Sequence, residues 1–447
     1  MRWTDESVRI ALGLGSGESS IGYSGVATDT RQIGPGALFV ALEGERFDGH
    51  AFLSEAQAAG ATAAVVRRST EPVGGLRLYE VDDPLRAFGW LARHRRRQCP
   101  GPVVAVTGTN GKTSTKEMLA AMLGTRYRTH ATRLNLNNLV GVPQTILECP
   151  EGIEAMVVEA GANRPGEIAR YREIIEPDIA VITNVDAGHL EGFGSLAGVL
   201  EEKLALVRDV PLAIVGVDNP DLAAGARPVA RRVVTAGLSG ADVVPDQVVV
   251  QPSGRPRVTV GEVSFTVAQY GLHQAKNAML AWAVGQALGL PPTRVARALE
   301  SFTLPAGRGD VAEHGRLTIF NDSYNANPAS FRALVDLVRS MRAGRRLVFV
   351  AGTMRELGTQ STAEHVAIAD ALAALDPEVL AAVGEFVPAL ERHRAQFGPR
   401  LVTAVDAVAI GPLVAERLRG DELVVLKGSR GVRLERIIPD LVGRAAT

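Results

Sequence analysis

The chain has 447 residues, a formal net charge of −1 and 46% hydrophobic residues. This length allows about three domains, each large enough to bury its own core. The nearly balanced charge excludes a general attraction to nucleic acid or anionic lipid, so no nucleic-acid partner is expected. Two cysteines, Cys99 and Cys149, cannot form a disulfide framework.

Nothing in the sequence indicates insertion into a membrane. The first residues lack the apolar core of a signal peptide. No stretch reaches the roughly 18 consecutive apolar residues that a membrane span needs. We therefore expect a cytoplasmic protein without membrane insertion, and we expect a monomer.

The first 97 residues are predicted to form a small α/β unit. Strands are expected over 37–42 and 61–66, with a short helix over 52–59 between them. Two polar clusters lie at the ends of these elements, Asp29-Thr30-Arg31 and Asp48-Gly49-His50. Their spacing alone fits turns at least as well as a binding site. The basic run over 93–97 is expected to close a solvated helix before a linker over 98–102.

A phosphate-binding loop is predicted after the apolar run 103–106. The loop reads Thr107 to Thr113, TGTNGKT, and is followed by a helical pattern. Loop amides and a helix N-terminus attract phosphate oxygens, so Lys112 is expected at the β/γ-phosphates and Thr113 at Mg²⁺. The full motif has a glycine where Val106 stands, so the loop is a shortened variant. The alternative is an ordinary strand-turn-helix with two chance glycines.

Residues 103–304 alternate apolar runs and helical segments, as a doubly wound sheet does. Strands are predicted over 155–158, 179–183 and 212–217. Glu159 follows the first of these strands, and Asn184, Asp186 and His189 follow the second. Because ligands bind at the carboxyl ends of such strands, a carboxylate and an imidazole here suggest a divalent metal site. Each residue taken alone is equally explained as a cap or a loop contact.

Lys203 lies on the apolar face of a helix predicted over 196–207, while Glu201 and Glu202 are expected to point elsewhere. Burial favours a neutral amine, which could react with CO₂ to give a carbamate that ligates metal. Periodicity alone favours a lysine that extends along the edge of the apolar stripe to water.

The rest of the chain is predicted to hold a β-rich patch over 243–268, a helix over 273–288 and a third α/β unit over 310–447. His273 and Asn277 share one face of that helix. In the third unit, strands lead into the polar turn 321–328, into the turn 351–358 and into Lys427-Gly428-Ser429-Arg430. The last turn is expected to open a helix and to attract a carboxylate or phosphate.

The loop TGTNGKTS at 107–114, the set Glu159, His189 and Lys203, and Arg308 resemble the Mur ligases of bacterial cell-wall synthesis. That resemblance covers nearly the whole chain and implies three α/β domains. These are a small N-terminal UDP-sugar domain (1–98), a central P-loop domain with a doubly wound, mostly parallel sheet (99–306), and a Rossmann-like C-terminal domain (307–447). The last would bind the incoming dipeptide and part of ATP.

DSYNANP at 322–328, NVDAGHLEGFGS at 184–195 and KGSR at 427–430 are similar to the family members that add D-alanyl-D-alanine to UDP-N-acetylmuramoyl-tripeptide. The resemblance implies an ATP-dependent, ADP-forming amide-bond ligase that works through an acyl phosphate. One position departs from the family pattern, because Thr353 stands where relatives usually have Asp.

The resemblance also implies a role for each matching residue. ATP contacts are expected from Thr109, Asn110, Gly111, Lys112, Thr113, Ser114, Asn277, Arg308, Asp322, Tyr324 and Asn325. Magnesium ligands are expected at Thr113, Glu159, His189 and Lys203, with Lys203 carbamylated, and the catalytic set is Lys112, His189, Lys203 and Arg308. The UDP-sugar is expected at Thr30, Arg31, Asp48 and His50, and the dipeptide at Lys427, Ser429 and Arg430.

Three other functions remain open. A sibling ligase that adds a single amino acid would carry another segment in place of DSYNANP. A folate or polyamino-acid ligase shares the core but not the N-terminal UDP-sugar segment. A non-catalytic nucleotide-binding regulator would keep the phosphate loop but could lose Glu159, His189 or Lys203.

Overall fold

The computed structural model describes residues 3–44, 47–188 and 190–445. The chain divides into two compact units. The first unit comprises Met1–Ala105, Tyr127–Ala162 and Gly166–Ile179, and the second comprises Val106–Arg126, Asn163–Pro165 and Ala180–Thr447. The domain boundaries predicted after residues 98 and 306 stay predictions.

The N-terminal region folds as the predicted small α/β unit. Strands β3 to β6 form a four-stranded parallel sheet in sequence order, and β1 pairs antiparallel with β2. Phe39 and Val65 are buried on this sheet, and Phe88 of the last helix packs into its core. The elements are β1 Trp3–Thr4, α1 Asp5–Leu12, β2 Gly22–Tyr23, β3 Val26–Ala27, β4 Ala37–Val40, α2 Leu53–Ala58, β5 Ala61–Arg67, β6 Arg77–Val81 and α3 Pro84–Arg96.

The next region has the alternating strands and helices expected of a doubly wound sheet. The elements are β7 Val103–Thr107, α4 Lys112–Gly124, β8 Thr129–Ala131, α5 Gly141–Leu147, β9 Ala155–Glu159, α6 Glu167–Ile175, β10 Ile179–Ile182, α7 Leu190–Phe193, α8 Leu196–Leu204, β11 Leu212–Gly216, α9 Pro220–Ala226 and β12 Val233–Ala236. In the first unit the strand order is β7-β9-β8, and in the second it is β12-β11-β10-β7, because β7 contributes residues to both. The pairs β8–β9 and β11–β12 are parallel.

The predicted β-rich patch is a three-stranded antiparallel sheet followed by two helices. Its elements are β13 Gln247–Val250, β14 Pro256–Val260, β15 Val263–Thr266, α10 Leu272–Ala287 and α11 Pro292–Ser301. Helix α10 is buried along most of its length, and Trp282 stacks on Phe265 with ring centroids 5.3 Å apart. This stacking attaches the small sheet to α10.

The C-terminal region is Rossmann-like, as predicted. Its sheet has the order β16-β17-β21-β18-β19-β20, with only β16 antiparallel to its neighbour. Apolar clusters cover the two faces of this sheet. The elements are β16 Asp310–His314, β17 Leu317–Asp322, α12 Pro328–Met341, β18 Leu347–Gly352, α13 Ser361–Ala373, β19 Val379–Val383, α14 Phe386–Glu391, α15 Arg394–Phe397, β20 Leu401–Ala404, α16 Ala407–Ala415, β21 Leu423–Lys427 and α17 Ile438–Ala445.

Two local predictions were wrong. No α-helix opens at Lys427–Arg430, because the chain makes 3₁₀ turns over Arg430–Val432 and Leu434–Ile437 before α17. In α8, Leu196 is exposed whereas Glu202 is buried beside Lys203, so the apolar stripe is rotated from the predicted one.

The basic run at the end of α3 is not simply solvated. Arg93 and Arg97 both bond the Glu176 carboxylate, and Arg96 reaches Asp178 at 3.0 Å. Two guanidinium groups hold the pKa of Glu176 at about 2, mainly through the hydrogen bonds from Arg97. The run therefore serves contacts within the first unit, which leaves little of it for a polyanion.

None of the helices in the described part of the chain is long and apolar enough to cross a membrane.

Candidate active site

A tight glycine loop joins β7 to α4. Gly108 and Gly111 have φ angles of 145° and 77°, which residues that carry a Cβ rarely adopt. A Cβ on Gly108 would collide with Thr183 Oγ1, and one on Gly111 would lie 2.5 Å from Asn277 Oδ1. Both glycines are required by backbone angle and by close packing, so the alternative of chance glycines in an ordinary turn loses its support.

The segment after β10 holds this loop through its backbone. Thr109 N donates to Asn184 O at 3.0 Å, and Asn110 N donates to Asn184 Oδ1 at 3.0 Å. Asn110 O accepts from Thr183 Oγ1 at 2.5 Å and from Asn184 Nδ2 at 3.1 Å. Asn184, which was predicted to lie at this sheet edge, therefore holds the loop backbone on both sides of Asn110.

Lys112 begins α4, and its ammonium lies back over the loop. Nζ donates to Gly108 O at 2.7 Å and to Thr109 O at 3.0 Å. Those carbonyls hold the charge at the mouth of the loop, where a phosphate would arrive. Thr113 and Ser114 follow in the first turn of α4 and are buried.

Helix α10 packs its polar face against the start of α4. Gln274 Nε2 donates to Ser114 Oγ at 3.3 Å, and Asn277 Nδ2 donates to Gln274 Oε1 at 3.2 Å. Asn277 also lies against Gly111. Sequence reasoning missed Gln274, although its position one turn before Asn277 on the same helix face could have indicated it.

In the C-terminal region, the turn after β17 is organised by an ion pair and by stacked side chains. Lys427 Nζ bonds Asp322 Oδ2 at 2.6 Å and Asn325 O at 3.2 Å. The guanidinium carbon of Arg308 lies 3.9 Å from the Tyr324 ring centroid, and that of Arg430 lies at 5.5 Å. Two cations beside one aromatic ring can attract an anionic ligand or stack on a flat one.

Asn327 lies in the same turn and belongs to the segment DSYNANP, but sequence reasoning did not predict a role for it. Its Nδ2 donates to Asn110 Oδ1 at 2.7 Å. The structure thus brings the turn after β17 to the phosphate loop, and both lie in the second unit. A hydrogen bond between residues 217 positions apart leaves no local signal that could have predicted it.

Two residues predicted to bind the dipeptide are engaged inside the C-terminal region. Lys427 is 1% exposed and pairs with Asp322. Ser429 is buried, and its Oγ accepts from Arg355 N at 3.0 Å. Arg430 is the exposed member of the three and pairs with Glu435 at 3.2 Å. Thr353 Oγ1 accepts from Glu385 N at 3.0 Å, so this threonine fixes the neighbouring turn.

Glu159 satisfies a chemical test for a metal ligand. The residue is 1% exposed, and its Oε1 accepts from Asn137 Nδ2 at 2.8 Å. Its buried Oε2 has no hydrogen-bond partner among the residues that the structure describes. A buried carboxylate oxygen without a donor is costly, and Mg²⁺ would satisfy it.

Lys203 is buried, with 1% of its surface exposed and its Nζ 5.6 Å from the Phe193 ring centroid. The interpretation of a lysine that extends to water is therefore wrong. His189, the other predicted ligand and catalytic residue, lies outside the described residues.

The polar clusters of the N-terminal region make the turns that the sequence allowed. Asp29 caps a 3₁₀ turn over Thr30–Gln32 and forms a two-point ion pair with Arg31, which holds the pKa of Asp29 at about 2. The exposed Arg31 is oriented by that pair, and Thr30 Oγ1 donates to Glu55 at 2.5 Å.

The second cluster is organised around His50. Asp48 caps the turn over Gly49–Phe52, and its Oδ1 lies 2.6 Å from His50 Nδ1. Arg67 N donates to His50 Nε2 at 2.9 Å, so Nδ1 carries the proton toward Asp48. Glu43, Asp48 and His50 come together as a metal site would, but both ring nitrogens of His50 are already engaged.

Comparisons with known proteins agree with this geometry. Three family models match: "Mur ligase family, catalytic domain" over 22–96, "Mur ligase middle domain" over 106–285, and "Mur ligase, glutamate ligase domain" over 307–430. UDP-N-acetylmuramoyl-tripeptide–D-alanyl-D-alanine ligase of Bacillus subtilis is 34% identical, over 94% of this chain and 93% of that protein. The chain belongs to the Mur ligase family.

Solved structures of Mur ligases agree with this assignment. A crystal structure of MurF from Acinetobacter baumannii superposes with a TM-score of 0.88 at 29% identity, and covers 99% of each chain. MurF from Thermotoga maritima in complex with ADP superposes with a TM-score of 0.83 at 28% identity, over 94% of this chain and 97% of that one. The predicted family, the α/β fold class and the three-domain Mur ligase architecture are confirmed.

Proposed function

We propose that this chain joins D-alanyl-D-alanine to UDP-N-acetylmuramoyl-tripeptide, with ATP converted to ADP and phosphate. The observation that carries the proposal is the contact of the turn 322–328 with the phosphate loop through Asn327 and Asn110. That turn is the segment expected to differ in sibling ligases that add one amino acid. Near-full-length similarity to relatives with this activity supports the same assignment.

ATP is proposed to lie on the loop and on the side chains that surround it. The loop amides and Lys112 would hold the β/γ-phosphates, because Lys112 Nζ is already fixed over the loop carbonyls. Arg308, Tyr324 and Asn325 would contact the rest of the nucleotide together with Asn277 and Asp322. The ADP complex of the Thermotoga maritima relative supports ATP use.

Magnesium is the metal proposed for this chain, with Glu159, Thr113, Lys203 and His189 as its ligands. When bound, it would neutralise charge on the phosphates and lower the repulsion of an attacking carboxylate. The orphaned Oε2 of Glu159 supports this assignment. For Lys203 we propose a carbamate. It would form when the unprotonated amine attacks CO₂ and the nitrogen loses one proton, and it would carry carboxylate-like oxygens that can ligate the metal.

The reaction proposed has two steps. A carboxylate oxygen of the tripeptide attacks the γ-phosphorus of ATP, the bond to the β–γ bridging oxygen breaks, and ADP leaves. The amine of the dipeptide then attacks the carbonyl of the acyl phosphate, phosphate departs, and the nitrogen loses a proton. Lys112 and Arg308 would stabilise negative charge during the first step.

Substrate recognition is assigned to the two ends of the chain. Thr30, Arg31, Asp48 and His50 are proposed to hold the UDP-sugar; Arg31 is exposed and oriented by Asp29. Arg430 is proposed to meet the dipeptide carboxylate, with Lys427 and Ser429 holding its turn in place. A cytoplasmic location and a monomeric state complete the proposal.

The test is an ADP-release assay with UDP-N-acetylmuramoyl-tripeptide and ATP. We expect D-alanyl-D-alanine to support release far better than D-alanine, L-lysine or diaminopimelate with their cognate acceptors. A dipeptide carries its carboxylate about 3.5 Å farther from its amine than a single amino acid does, and small misplacements cost rate. Equal or better use of a single amino acid would overturn the substrate assignment and leave the ligase chemistry standing.

Arg430→Ala adds a site-specific arm to this assay. We expect it to raise the KM for the dipeptide more than the KM for ATP. Arg436→Ala is the matched control, because it removes an exposed arginine from the following 3₁₀ turn. Similar effects of both variants on dipeptide KM would argue against a specific role for Arg430.

A further inference from the structure

Asn327 uses both ends of its side-chain amide. Its Oδ1 accepts from Ser330 N at 2.9 Å, which caps the N-terminus of α12. Its Nδ2 donates to Asn110 Oδ1 at 2.7 Å in the phosphate loop. The residue is 9% exposed, so water competes little for either bond.

Helix capping alone does not account for an asparagine here. Serine and aspartate cap helices about as well, but neither presents an N–H beyond the cap. On the other side, Thr183 and Asn184 hold the backbone of Asn110, so the point from which its side chain extends toward Asn327 is fixed. An amide at position 327 is therefore the group that joins the cap of α12 to this acceptor.

We propose that Asn327 is a positioning residue that aligns the turn 322–328 with the phosphate loop. The turn is held at its start by the ion pair of Asp322 with Lys427 and at its end by Asn327. Tyr324 and Asn325 lie between these two contacts. The groups proposed to contact the nucleotide are therefore held at a fixed position relative to the phosphate loop. This inference rests on the proposed use of ATP.

The experiment is a double-mutant cycle on ADP release with Asn327→Ser, Asn110→Ala and the double variant. Serine keeps the cap but removes the amide N–H, and its hydroxyl ends one bond short of the position of Nδ2. We expect Asn327→Ser to lower kcat/KM for ATP about three- to tenfold, the range for one lost hydrogen bond. The double variant should be no worse than Asn110→Ala, because both single changes remove the same bond.

Ser330→Ala is the matched control. It removes the hydroxyl that bonds Asn327 N and O, and keeps Ser330 N for the cap and the Asn327 amide for Asn110. We expect it to lower the Tm at least as much as Asn327→Ser does, with kcat/KM for ATP within about twofold of the unchanged chain. If Ser330→Ala lowers kcat/KM for ATP as much as Asn327→Ser does, the role of Asn327 is limited to capping α12. That result would overturn the proposal.

Independent effects of the two asparagines would also overturn it, since the double variant would then lose the product of the single losses. ADP affinity, measured by calorimetry on the same four proteins, separates this result from a failure of the proposed function. If the unchanged chain releases no ADP with the dipeptide, the substrate assignment fails. The coupling of Asn327 to Asn110 is then tested by ADP affinity. We expect the coupling between the two substitutions to change that affinity about three- to tenfold, and the absence of coupling would count against the proposal.

Discussion

Lys427 Nζ lies 2.6 Å from Asp322 Oδ2, and the two residues stand directly opposite each other at the ends of the parallel strands β21 and β17. Both strands lead from this point into the turns predicted to carry function. The ammonium also bonds Asn325 O at 3.2 Å and is 1% exposed. The pair therefore ties two loops together at the carboxyl edge of the sheet.

Lys427→Met should destabilise the C-terminal region, because it leaves the Asp322 carboxylate without its cation. Removing one partner of a buried ion pair costs about 3–5 kcal/mol, and the partial exposure of Asp322 reduces this to about 2–4 kcal/mol. Urea unfolding of the variant would measure the effect. Adding Asp322→Leu should restore part of the loss, since an apolar pair leaves no uncompensated charge. A double variant that is weaker than Lys427→Met would contradict this account.

Lys112→Ala should lower turnover in the ADP-release assay by about a hundredfold or more. The side chain is fixed over the phosphate loop, where it would stabilise charge that develops in the transition state. Lys112→Arg is the informative companion, because it keeps the charge but replaces a point cation with a planar fork. Near-normal ligation by a folded Lys112→Ala protein would contradict the assignment of this loop as the phosphate-binding loop.

Lys203 should carry a carbamate when CO₂ is present. The chain has only five lysines, Lys112, Lys116, Lys203, Lys276 and Lys427, so ¹³C NMR of protein in ¹³C-bicarbonate can be assigned by substitution. We expect one carbamate signal that disappears in Lys203→Ala. That variant should be nearly inactive and partly rescued by acetate, which supplies the lost oxygens. A persistent signal, or full activity without Lys203, would rule the carbamate out.

Glu176→Gln should remove a pH-dependent part of the stability of the first unit. Because arginine pairing lowers the pKa of the folded carboxylate from 4.5 to about 2, its contribution is present above pH 4.5 and is lost as the pH falls toward 2. At pH 7 we expect the variant to lose about 1–2 kcal/mol. Unfolding midpoints measured from pH 7 to pH 2 should converge for the two proteins.

Glu173→Gln, on the exposed side of α6, is the control for this titration. It makes the same charge change without the arginine pair, so its small effect should stay nearly constant over the range. If Glu176→Gln behaves in the same way, the ion pairs with Arg93 and Arg97 contribute nothing measurable.

The sequence by itself determined the elements and their local chemistry. Apolar periodicity predicted the strands of all three regions, and Met118, Leu119, Met122 and Leu123 are buried on α4 as their helical spacing required. The loop before that helix was readable because its glycines, lysine and threonine are contiguous. Such patterns depend on backbone angles and on residues within one or two turns, which the chain specifies locally.

Only the tertiary structure decided which side chains meet. The neighbouring strands β17 and β21 place Asp322 beside Lys427, 105 residues away. Asn327 and Asn110, 217 residues apart, follow strands of two different sheets and meet through the packing of the second unit. The chain after Lys427 forms 3₁₀ turns, where the local pattern predicted that a helix opens. The physical reason is that sheet order and packing are set by burial summed over the whole chain. The polar partner of a side chain on another element is therefore determined by the packing of the whole chain and not by its sequence neighbours.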